Sequence, residues 1–198
     1  DRFYGNEYPF LSWMSRLGLK TDGSANGVTV LRQGWGVEPL TEGQAACVST
    51  MSYNEYWVVR DAGYSPEQLT VFKYQSEGAA TLEDGLYVHE KNLSDAAFKD
   101  KMVRFVRASM KGWKYAEANP KEAAMIILDN DDAGVQTEKH QVRMMGEIAK
   151  LTAGSNGSLD PADYERTVKV LMSGDSDPVI TKKPSGAWTN EITNAALN

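Results

Sequence analysis

Four short stretches carry the groups that could hold a small molecule. Asn6 and Glu7 sit where a turn runs into an apolar helix. Trp35 stands between Gly34 and Gly36. Ser52, Tyr53 and Asn54 form a polar and aromatic run, and Glu77 closes a Gln-Ser-Glu-Gly turn. Amides, carboxylates, a hydroxyl and rings in glycine-rich turns suit hydrogen bonding and stacking, the make-up of a small-molecule pocket. No nucleophile has a base beside it in a recognisable pattern, so no residue is assigned a catalytic role. Glu7 would lie at the positive end of its helix, a place that commonly receives an anion. A carboxylate there uses up that attraction and favours a ligand with donor groups. It could equally serve its own helix end. Trp35 reads either as a stacking platform or as a core plug, and Tyr53 and Asn54 either as ligand contacts or as a helix cap.

The elements that would position these residues follow from periodicity. Phe10, Leu11, Trp13, Met14 and Leu17 form one stripe of a helix over about Tyr8–Leu17, ended by Gly18. Val28–Gln33, residues 45–50 and residues 69–74 are rich in β-branched or small apolar residues and predict strands. Short helices are predicted between them, one of them in residues 53–63. Strand, crossover, strand implies parallel pairing. In such sheets ligands bind beyond the carboxyl ends of the strands, where Glu7, Trp35, Ser52–Asn54 and Glu77 would gather. A further short strand is predicted at Leu86–Val88. Beyond it the chain reads as helix. Met102, Phe105, Val106, Met110 and Trp113 recur at helical spacing, Pro120 opens a second helix, Thr137 caps a third, Asp160 with Pro161 starts a fourth, and the tail is a last short one.

Composition narrows the classes. The 198 residues are 41% hydrophobic and carry a net charge of −6, which argues against nucleic acid as a partner. No apolar run approaches a membrane span, so no direct membrane insertion is expected. Cys47 is the single cysteine, and the two histidines, His89 and His140, lie far apart. Neither a disulfide framework nor a metal site is expected, and no cofactor. His140, among Lys139, Gln141 and Arg143, reads as part of a solvated helix face. Asp129–Gly134 has the look of a calcium loop without its terminal glutamate and reads as a helix connection.

The ordered series GNEYPFLSWMSRLGL, VTVLRQGWGVEPLTEGQA, MSYNEYWVVRDAG, EGAATLEDGLYVHE and FVRASMKGWKYAEANPKEAAMIIL resembles the periplasmic solute-binding proteins of ABC importers. More narrowly, it is similar to the branch that binds sulfonates, nitrate and the thiamine pyrimidine precursor. The resemblance implies an α/β, type II periplasmic-binding fold with a parallel-sheet lobe in residues 1–85. Residues 86–198 would make a hinge crossing and the mainly helical back of the other lobe. Two lobes of usual size need about 300 residues, so the resemblance implies a chain short of its amino-terminal half-lobe. It further implies an extracytoplasmic protein, a small solute clamped between lobes, and a membrane permease as partner. The family's contacts carry over to Gly5–Glu7, to the neighbourhood of Trp35 and to Ser52–Asn54. Anion-binding members favour small hydroxyl residues at the first of these turns. Asn6 and Glu7 instead point to a neutral or donor-rich heteroaromatic solute, a thiamine pyrimidine precursor first. The alternatives are a nitrate, sulfonate or taurine binder of the same family, and a pyrimidine synthase of thiamine biosynthesis, which uses the same shape.

Overall fold

The computed structural model describes residues 7–173 and 178–197. Among these, the chain forms eight α-helices: α1 Glu7–Arg16, α2 Glu38–Thr41, α3 Glu55–Asp61, α4 Ala96–Ala118, α5 Pro120–Asp129, α6 Glu138–Thr152, α7 Pro161–Met172 and α8 Glu191–Leu197. Two 3-10 turns, Pro66–Gln68 and Glu90–Ser94, interrupt the irregular segments.

The helices start and stop where side chains answer their unpaired main-chain groups. α1 carries Glu7 in its first turn and Arg16 in its last, each suited to the helix dipole. It ends on Gly18 at φ +71°, with Leu19 N–H donating to Met14 and Gly18 N–H to Ser15, a left-handed stop that suits glycine. Asp95 accepts from Ala97 N–H at 2.9 Å to open α4, Thr137 from His140 N–H at 3.3 Å to open α6, and Asp160 from Ala162 N–H at 2.8 Å to open α7. Proline occupies the first turn of both α5 and α7.

The expected sheet is not formed. Val28–Gln33, residues 45–50, residues 69–74 and Leu86–Val88 contain no strand, and among the described residues there is no β-ladder. The parallel-sheet, type II α/β fold is therefore corrected to a helical one. β-Branched and aromatic residues favour strands because they fit a half-buried pleated surface. Here that surface is missing. Leu31, Val71, Phe72, Leu86 and Tyr87 are exposed, Tyr87 by 84%. The main-chain bonds these segments do make are local, such as Val28 N–H to Lys20 C=O at 2.7 Å and Ala45 N–H to Pro39 C=O at 2.8 Å.

One side chain supplies part of what a ladder would. Gln33 Nε2 donates to Ser49 C=O at 2.8 Å, and Ser49 N–H donates to Gln33 Oε1 at 2.9 Å. A side-chain amide has the same donor and acceptor as a peptide unit. It can therefore satisfy one residue of a neighbouring segment without a strand to continue the pairing.

The chain divides into two compact units. The first holds the described residues of Asp1–Ser49, Val58–Gly85 and Leu159–Ala187. The second holds Thr50–Trp57, Leu86–Ser158 and the described residues of Trp188–Asn198. In the first, Ser12 of α1 and Ser173, just past α7, share a hydroxyl contact of 2.6 Å. Arg166 of α7 donates to Ala80 C=O at 3.2 Å, and Leu82 N–H donates to Thr167 Oγ1 at 2.9 Å. Trp13 packs at 5.2 Å on Phe72 and almost edge-on to Tyr74 at 6.4 Å. Burial pushes the Tyr74 phenol above its ordinary pKa.

The second unit is a helical packing. Ala123 and Ala124 of α5 and Met145 of α6 form its buried cluster, with Ala116 and Val142 against it. Small residues on α5 let the helices approach closely. Arg107 of α4 donates to the last carbonyls of α8, Ala196 at 2.9 Å and Ala195 at 3.1 Å, groups that no residue of α8 itself can satisfy.

Candidate functional site

Within the second unit, the turn before α3 is tied down from both ends. Asn54 N–H donates to Met51 C=O at 3.1 Å, closing a four-residue turn over Ser52 and Tyr53. Glu55, the first residue of α3, reaches back so that its Oε2 accepts from Met51 N–H at 2.8 Å. Ser52 is exposed, and Tyr53 and Asn54 are half-buried.

The Asn54 side chain is not used as a cap for α3. Its Nδ2 donates to Glu55 Oε1 at 3.2 Å, and its Oδ1 lies 2.8 Å from His140 Nε2 on α6. The Glu55 carboxylate requires a donor and so turns Nδ2 toward itself. The remaining amide oxygen only accepts, hence the imidazole donates from Nε2. His140 is therefore not on a solvated face, as its charged neighbours suggest. It is half-buried and bonded to a residue 86 positions earlier. Nothing in the local pattern around either residue encodes that pairing.

Aromatic and amide groups follow on α3 and α6. Arg143 of α6 stacks its guanidinium 4.9 Å from the Trp57 ring centre, and Tyr56 meets Trp57 edge-on at 5.3 Å. Gln141 is 2% exposed and donates from Nε2 to Gln136 Oε1 at 2.6 Å. Among the described residues, Gln141 Oε1 and Trp57 Nε1 are buried without a hydrogen-bond partner. One is an acceptor and the other a donor. His140, Gln141, Trp57 and Arg143 are the residues that the sequence reading left out of the site.

The remaining candidates belong to the first unit. Glu7 is 7% exposed in the first turn of α1. Trp35 is 79% exposed, which removes the core-plug reading of its ring. The Glu38 carboxylate folds back over Gly36, a position where a side chain would meet it. Glu77 is fixed through its main chain: Arg16 Nη2 donates to its carbonyl, and Arg16 Nη1 to Gly78 C=O at 3.3 Å. Gly5 and Asn6 lie outside the described residues. Thus Glu7, Trp35 and Glu77 fall in one unit and Ser52, Tyr53 and Asn54 in the other.

This second-unit cluster offers hydrogen-bonding and aromatic groups on one turn, α3 and α6. The amide, carboxylate and imidazole are already engaged in a hydrogen-bonded chain, and His140 Nε2 is spent on an amide rather than on a hydroxyl or thiol. Residues 11–123 match the family described as NMT1/THI5 like. The chain belongs to that family. NMT1/THI5-like proteins are solute-binding proteins for sulfonates, nitrate and thiamine precursors, with some synthases among them. No curated protein and no solved structure shows a significant match to the chain. The NMT1/THI5-like membership supports a solute-binding role, a small-molecule ligand and a transporter partner in general terms. The family is typically extracytoplasmic, and no helix among the described residues is long and apolar enough to cross a membrane.

Proposed function

We propose that this chain is the solute-capturing component of an ABC importer, taking a small heteroaromatic solute such as the thiamine pyrimidine precursor. The family match over residues 11–123 carries the reading. The choice of solute rests on chemistry. Glu7 already places a carboxylate in the first turn of α1, so an anion arriving there would meet negative charge rather than bare N–H groups. Trp35 offers an exposed ring for a flat solute. Ser52, Tyr53 and Asn54 offer a hydroxyl, a phenol and an amide on a turn that is held in shape. Glu7 and Glu77, like Trp35, are proposed contacts of the first unit, and Asn6, next to Glu7 in sequence, is proposed with them. The chain acts as a binder and not as a synthase, in an extracytoplasmic compartment.

Calorimetry of the chain against hydroxymethyl aminopyrimidine, a flavin, taurine and nitrate tests this. Binding of the aminopyrimidine with little response to the two anions is expected. Tight binding of the small anions alone overturns the choice of solute. Covalently held pyridoxal phosphate, seen by its absorbance, overturns the non-enzymic reading.

A further inference from the structure

Asn54 ends its turn with an amide whose bonds are half committed. Nδ2 gives a hydrogen to Glu55 Oε1, and Oδ1 takes one from His140 Nε2. An asparagine amide has two N–H hydrogens and two acceptor lone pairs, so one donor and one acceptor site remain for a solute. An aminopyrimidine edge offers an amino donor beside a ring-nitrogen acceptor, the complement of that pair. The terminal torsion of asparagine is soft, and an unanchored amide would spread over many orientations. Glu55 cannot anchor it to anything else, because it is the next residue in the chain and holds Met51 N–H of the same turn. His140 can. It comes from α6, the helix that contributes Met145 to the buried cluster with Ala123 and Ala124.

We propose that His140 is a positioning residue for solute capture, fixing the Asn54 amide from α6 so that its remaining donor and acceptor present one edge. This rests on the reading of Asn54 as a solute contact. Pre-setting an amide that would otherwise be ordered at the moment of binding raises affinity by removing that ordering cost.

The test uses the full chain and calorimetric titration with hydroxymethyl aminopyrimidine, on the wild type and on Asn54→Ala, His140→Ala, His140→Gln, His140→Asn and the Asn54→Ala/His140→Ala pair. A glutamine Nε2 reaches close to the place of the imidazole Nε2, whereas asparagine is one bond short. Asn54→Ala and His140→Ala should each weaken binding about tenfold, the size of one net hydrogen bond. His140→Gln should recover most of that loss and His140→Asn should not. The double variant should bind no worse than Asn54→Ala alone, because nothing is then left to position. Thermal midpoints of all variants are read in parallel. Full affinity in His140→Ala overturns the positioning role. So does a His140→Gln variant that regains the wild-type midpoint but not the affinity. Unchanged affinity in Asn54→Ala overturns instead the assignment of Asn54 as a contact, and the inference falls with it. Absence of aminopyrimidine binding by the wild type removes both.

Discussion

In the second unit, helices hold helices. Ala123 and Ala124 of α5 receive Met145 of α6, Lys99 of α4 pairs with Glu191 of α8 at 2.6 Å, and Arg107 of α4 satisfies the end of α8. In the first unit, side chains hold irregular main chain. Arg16 takes the carbonyls of Glu77 and Gly78, Arg166 takes that of Ala80, Thr167 receives Leu82 N–H, and Gln33 grips Ser49 by both its peptide groups. The difference follows from where main-chain bonds go. A helix satisfies its interior groups by itself and needs help only at its ends. An extended segment with no partner strand has no ladder, so its groups go to local turns, to water and to long polar side chains. Helix-on-helix packing therefore closes one unit, whereas in the other, side-chain hydrogen bonds tie irregular main chain onto a core that buries Met14, Val59, Val168 and Val170.

Truncating the helical cluster should have the largest effect. Met145→Ala removes a buried side chain among well-packed helices and should cost about 2–3 kcal/mol in denaturant unfolding. A cost below that of the hydrogen-bond variants would erase the contrast. Gln33→Ala should cost about 1–1.5 kcal/mol, since two partly exposed bonds are lost together. Hydrogen exchange should quicken at Ser49 while the amides of α5 and α6 stay protected. Arg107→Met keeps the aliphatic stem and removes two bonds to the end of α8, for about 0.5–1 kcal/mol, visible as faster exchange confined to that helix.

Smaller effects are expected on exposed turns. Ser24 donates to the Asp22 carboxylate from its hydroxyl and its N–H, and so holds the carboxyl below its ordinary pKa. A lowered folded-state value means that the stabilisation is present above the ordinary aspartate range, near pH 4. It is lost as the pH falls through the lowered value. Asp22→Asn should therefore flatten part of the acid limb of the stability curve. An acid limb identical to that of the wild type would show that the bond contributes nothing. Trp35→Ala should change stability by no more than about 0.5 kcal/mol, because the ring is exposed, while lowering affinity for the aminopyrimidine. A large loss of stability would show that the ring supports the first unit.

The helices were legible because their codes are short. Pro120, Thr137 and Asp160 with Pro161 begin helices, and Gly18 ends one, in the structure as in the pattern. Residues 53–63 held a helix, observed as Glu55–Asp61. The strands were not legible in the same way. Residues such as Val30, Val71 and Phe72 state what would suit a sheet, but whether a partner strand lies alongside is a fact about distant chain. Of the site, the turn at Ser52–Asn54 was visible in composition. The role of Asn54 beyond that turn was not, because His140 lies 86 residues away and its own neighbours are charged.

The amino-acid sequence by itself determined the helices, through caps, prolines and a 3.6-residue stripe that act within a few residues of one another. It also determined the family, through an ordered series of motifs that survives whatever the packing does. Tertiary structure alone decided that Val28–Gln33 and its fellows stay unpaired, that Trp35 stands in solvent, and that α6 supplies the hydrogen bond which steadies Asn54. Those outcomes depend on which surfaces meet, and a contact between distant residues leaves no periodicity in the residues that make it.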